Sequence, residues 1–72
     1  MYIYNMEVGA GKAKHRRYFI ETDNGKPIAW FDDMDTAAIV LRYLKGVNLD
    51  AWERNVAHKA MKDFDHKKEG DN

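Results

Sequence analysis

The run from Tyr18 to Gly46, YFIETDNGKPIAWFDDMDTAAIVLRYLKG, constrains the fold of this chain more than any other segment. Apolar residues alternate at period two on both sides of Asn24-Gly25, then change to helical spacing after a group of aspartates. Asn-Gly is the preferred pair for a two-residue type I′ turn, because both central positions need φ > 0. Such a turn sets Asp23 opposite Lys26, Glu21 opposite Ile28, Phe19 opposite Trp30 and Arg17 opposite Asp32. On the other side Tyr18 faces Phe31 and Ile20 faces Ala29. One face is therefore purely apolar and suited to a core. The other mixes Phe19, Ile28 and Trp30 with Arg17, Glu21 and Asp32. Pro27 lacks an N–H and belongs at a strand start or a sheet edge.

The flanking segments complete the pattern. Residues 2–8 alternate, with Tyr2, Tyr4, Met6 and Val8 on one side and Ile3, Asn5 and Glu7 on the other, which predicts a strand before the hairpin. Gly9 and Gly11 punctuate the turn that follows. Strands are expected over 15–22 and 27–32. Asp32 or Asp33 is a natural N-cap for a helix running to about Lys45, with Asp35 placed favourably for the helix dipole. Ala37, Val40, Leu41 and Leu44 share its core face, Ile39 and Tyr43 fall on the far side beside Arg42, and Gly46 closes it. A second helix is expected from Asn48 or Asp50, where Asp50 and Glu53 fit a capping box. Its apolar stripe is read as Leu49, Trp52, Val56, Ala60 and Phe64, with Ala57 and Met61 at the margin. The predicted fold is α+β: a three-stranded antiparallel sheet followed by two helices. It forms one domain over 1–66 with a charged, flexible tail over 67–72.

Composition narrows the function. At 72 residues and 44% hydrophobic content, the chain can bury one thin core. It has no cysteine, which rules out a disulfide framework and a thiolate zinc site. No apolar run reaches the ~20 residues of a membrane span, and MYIYNMEVG lacks a basic signal-peptide start, so a cytoplasmic protein without membrane contact is expected. Twelve basic residues balance twelve acidic ones, which removes a global electrostatic pull on nucleic acid. The local distribution is polarised: Lys12, Lys14, His15, Arg16 and Arg17 cluster before the second strand, and Asp32, Asp33 and Asp35 cluster at the first helix.

Motifs with chemistry are few. Gly9-Ala10-Gly11-Lys12 is followed by Ala13 and lacks Walker A spacing, so it reads as a turn. His15, His58 and His66 have no metal-ligand spacing, and the three aspartates are accounted for by helix capping. Neither an enzyme nor a cofactor is expected. The basic cluster Lys12, Lys14, Arg16 and Arg17, beside Phe19 and Trp30, offers an alternative as a single-strand nucleic-acid platform, with Glu21 and Asp32 opposing phosphate. Two apolar sets exceed what one helix on a sheet can bury: Phe19, Ile28 and Trp30 on the hairpin, and Ile39 with Tyr43 on the helix. Covering both with one further helix is excluded by their different directions. Phe19, Trp30, Ile39, Arg42 and Tyr43 are thus candidate protein contacts, with Arg16 and Arg17 steering an acidic partner. Self-association is the remaining class, as a homodimer or a structural assembly.

The succession from Arg16 to Gly46, strand–DNGK–strand–FDD–helix–KG, is similar to short hairpin-helix proteins among phage and prophage accessory genes. That resemblance implies an inhibitor of host defence, in the manner of anti-CRISPR proteins that occlude a nuclease surface in the host cytoplasm. It transfers no binding residue.

Overall fold

The computed structural model describes residues 1–70, with side chains as far as His66. Three strands come first: β1 (Tyr2–Val8), β2 (His15–Glu21) and β3 (Pro27–Phe31). A 3₁₀ turn at Gly11–Ala13 joins the first two, and helices α1 (Met34–Leu44) and α2 (Ala51–Gly70) follow. The sheet is antiparallel in the order β1-β2-β3, so β2 lies in the middle. This is the expected α+β arrangement of three strands and two helices.

The β2–β3 ladder pairs Tyr18 with Phe31, Phe19 with Trp30 and Ile20 with Ala29, as the turn predicts, but it arrives there differently. Asn24 does not have a positive φ; of the turn residues only Gly25 does, at 81°. The Gly25 amide donates to the Thr22 carbonyl (2.8 Å), the Thr22 amide donates to the Lys26 carbonyl (2.9 Å), and the Lys26 amide donates to Thr22 Oγ1 (3.2 Å). The connection is therefore a three-residue loop in which a turn is followed by a left-handed glycine, not a type I′ turn. Nearest the turn Glu21 pairs with Pro27 instead of Ile28, and a bulge between there and Ile20 restores the register. The longer loop displaces the strands by one residue. The bulge at Ile28 displaces them back.

Ile20 and Ala29 are fully buried beneath Ala37 and Val40 of α1, and Phe31, Ala57 and Phe64 complete the core. Three of these seven are alanines, which let the helix backbones approach closely. α1 begins at Asp33, whose carboxylate accepts from the Thr36 amide (2.9 Å) and hydroxyl (2.8 Å). It ends in a Schellman motif: the Gly46 amide donates to the Tyr43 carbonyl and the Val47 amide to the Arg42 carbonyl, both at 3.1 Å, with Gly46 at φ 77°. The capping box of α2 forms as read, with the Glu53 amide on Asp50 Oδ1 (2.8 Å) and the Asp50 amide on Glu53 Oε1 (3.4 Å).

The buried stripe of α2 differs from the expected one. Ala57 and Phe64 are buried, Glu53, Val56, Ala60 and Met61 are partly buried, and Trp52 is 67% exposed. At 3.6 residues per turn, Trp52 and Phe64 lie about 120° apart around the helix, whereas Ala57 and Phe64 lie within about 20°. Phe64 therefore carries the core with Ala57, and Trp52 turns outward. The helix also continues to Gly70, into the segment expected as a tail over 67–72; Asp71 and Asn72 of that tail lie outside the described residues.

Two measurements test these local structures. In urea unfolding, Gly25→Ala should cost about 1–2 kcal/mol, the penalty of a left-handed non-glycine residue, while Asn24→Ala should stay within about 0.5 kcal/mol. A large loss at Asn24 would restore the type I′ turn. The carboxyl of Asp33 is held below its usual range by the hydrogen bonds from Thr36, and that of Asp23 by the N-terminal ammonium 2.9 Å away. Both folded values are depressed, so their stabilisation is complete above the ordinary carboxylate range and fades as pH falls through the folded values. Thermal melts across this acid range should show a weaker pH dependence for Asp33→Ala than for the wild type.

Candidate functional site: the open face of the sheet

Strand alternation decides which residues the helices leave uncovered. Ile20 and Ala29 face α1, so Phe19 and Trp30 face away from it. On β1 the register pairs Ile3 with Ile20 and Tyr4 with Phe19. The apolar stripe Tyr2, Tyr4 and Met6 thus lies on the open face, with exposures of 42%, 49% and 42%. Tyr4, Phe19 and Trp30, one from each strand, form a continuous aromatic row.

Trp30 is the best-anchored member of the row. Phe64 of α2 reaches the β3 edge and meets the indole edge-on at 4.6 Å between ring centres. Phe19 lies beside it at 6.4 Å, and the Arg17 guanidinium sits 5.9 Å from the ring centre. The indole is held in one orientation while part of it stays open to solvent. Between β3 and α2, Trp30 and Phe64 also border a groove of about 360 Å³, lined with them by Phe31, Val56, Asp32 and Asp63.

Charges on the open face are satisfied within the chain. Asp32 Oδ1 accepts from Arg17 Nε (3.3 Å) and meets His15 Nε2 at 3.2 Å. The Tyr2 hydroxyl donates to Glu21 Oε1 at 2.8 Å, and this hydrogen bond, with burial and the nearby carboxylates, raises the phenol above its ordinary value. The face has an aromatic centre and a rim of paired charges.

The other candidate contacts fall elsewhere. Arg42 donates to Glu53 of α2 at 2.6 Å, and the Tyr43 ring packs edge-on against His58 at 5.1 Å, its hydroxyl 3.1 Å from His58 Nε2. Ile39 and Tyr43 are partly buried against the core. The second helix therefore covers the Tyr43 side of α1 and leaves most of the sheet face open. Ile39, Arg42 and Tyr43 sit in the helical layer, with the sheet between them and Phe19.

The basic cluster is contiguous in sequence and dispersed in space. Arg16 donates to Asn5 Oδ1 (2.7 Å), Arg17 on the opposite face binds Asp32, Lys14 Nζ is 3.6 Å from Glu7, and Lys12 lies in the 3₁₀ turn. Among the described residues no group of three or more His, Asp or Glu side chains could hold a metal ion. No described helix is long and apolar enough to cross a membrane.

Sequence reasoning named Phe19, Trp30 and Arg17 but did not place Tyr2, Tyr4 and Met6 beside them. The available signal was loop parity. Six residues, 9–14, separate β1 from β2, so even positions on one strand meet odd positions on the other. Comparison with protein-family models, curated proteins and solved structures finds no significant match in any of the three.

The contrast between the two tryptophans can be measured. With Trp52 as the sole indole in Trp30→Phe, acrylamide should quench fluorescence strongly. With Trp30 as the sole indole in Trp52→Phe, quenching should be weaker and should rise in the Phe64→Ala background. Equal quenching of both indoles would contradict this packing.

Proposed function

We propose that this chain is a small non-enzymatic binding module that docks onto a protein through the open face of its sheet and occludes the surface it covers. The row Tyr4, Phe19 and Trp30 carries the reading, because α1 lies on the other face of the sheet and, among the described residues, α2 meets the row at its Trp30 end, where Phe64 fixes the indole. Tyr, Trp and Arg dominate binding hot spots, and ordered side chains lose little entropy on docking. The internally paired rim places few uncompensated charges against a partner. The resemblance to phage accessory proteins supplies the partner class to test first, a host protein such as a CRISPR nuclease, met in the host cytoplasm.

Nucleic acid is the second reading, favoured by the same aromatic row as a stacking platform. Against it, Arg16, Arg17 and Lys14 are each engaged within the chain and Glu21 shares the face.

Tyr4→Ala is the decisive variant, since Tyr4 is half exposed and its removal should leave the fold intact. In capture from a lysate of the bacterial host, it should weaken retention of the partner by about 2 kcal/mol, roughly thirty-fold in Kd. Arg42→Ala, in the helical layer, should leave retention unchanged. The reverse result would move the docking surface to the helices. Retention of single-stranded DNA that falls steeply with salt would favour the second reading.

A further inference from the structure

The two edges of the sheet are built differently. β3 starts with Pro27, which has no N–H, carries the bulge at Ile28, and is packed by Phe64 of α2 on Trp30 and Phe31. Each device blocks or distorts strand addition. β1 has none of them. Its seven residues pair with β2 without a register shift, it contains no proline or lysine, and its only charge is Glu7. Among the described residues β1 pairs only with β2, so its outer amide groups have no strand partner.

We infer that β1 is the docking edge for a second copy of this chain, pairing antiparallel about Asn5 to make a two-fold dimer with one continuous six-stranded sheet. The strand is complementary to itself in that register. Tyr4 meets Met6 of the second copy and Tyr2 meets Val8, which gives apolar cross-strand pairs on the open face. Glu7 meets Ile3, so the single charge never opposes itself. The two-fold axis stands perpendicular to the sheet, so both open faces lie on the same side of it. The zero formal net charge removes long-range repulsion between copies. With β3 blocked, each chain has one adhesive edge, so association closes at two and does not grow into a filament. This inference does not depend on the docking function: the dimer sets two open faces side by side and leaves both uncovered.

The test uses the whole chain. Sedimentation equilibrium over a micromolar-to-millimolar series should show the mass rising from 8.4 kDa toward twice that value. A mass that stays at one chain throughout, or climbs past two, overturns the inference. Tyr4→Lys/Met6→Lys and Tyr4→Glu/Met6→Glu each oppose like charges across the proposed axis. Each alone should remain at the single-chain mass, and an equimolar mixture should reach the dimer mass. Association of either variant alone as in the wild type, or a mixture that stays monomeric, rejects the register. Because the chain has no cysteine, Asn5→Cys provides an independent probe. Directly opposed residues lie about 4.5–5.5 Å apart between Cα atoms, within disulfide reach. Oxidation should give a covalent dimer much faster than with Lys12→Cys; equal rates would refute pairing about Asn5.

Discussion

Ile20, fully buried at the centre of the middle strand, sits between Ile3 and Ala29 and beneath Ala37 and Val40 of α1. The rest of the molecule is arranged around that contact. A chain of this length has enough apolar residues for one layer of helix on one layer of sheet. Once α1 occupies the Ile20 face, the side chains on either side of Ile20 in β2, Phe19 and Glu21, must point the other way. The second helix could in principle have covered them. It lies instead against α1 and the β3 edge, held by Ala57, the Arg42–Glu53 pair and the Tyr43–His58 contact. The exposed aromatic row follows from that choice.

Much of the fold was legible in the chain because local signals agreed with one another. The Asp33 cap, the Asp50–Glu53 box and the Gly46 terminator act over a few residues and depend little on tertiary context. The pairing of Phe19 with Trp30 was also read correctly, although from the wrong turn. Asn-Gly satisfies a type I′ turn, but it also satisfies a three-residue loop in which the glycine alone is left-handed, and sequence does not separate the two. The α2 stripe was misread for a different reason. Trp52 is the largest apolar residue of that helix, yet its angle around the axis and not its size decides its burial. Helical geometry alone places it well away from Phe64.

The candidate site was half visible. Phe19, Trp30 and Arg17 share a face that hairpin alternation reveals. Tyr2, Tyr4 and Met6 join it only through the β1–β2 register, which is set by a connection containing a 3₁₀ turn that no strand pattern describes. Ile39 and Tyr43 looked surplus because their cover, the Ala57 side of α2, was assigned to the margin of the stripe. A polar and aromatic seam, with His58 against Tyr43 and Glu53 against Arg42, does not register as apolar periodicity.

The offsetting loop and bulge in the β2–β3 hairpin have a consequence for how this sequence can change length. Removing one residue of the Asp23–Gly25 loop would leave Thr22 opposite Lys26 across a two-residue turn, and removing Ile28 would leave Glu21 opposite Pro27 and Ile20 opposite Ala29. Either deletion keeps the indole of Trp30 out and the ring of Phe31 in. Changes of length in this hairpin are therefore absorbed one residue at a time, at the turn or just after Pro27, without exchanging the two faces of β3.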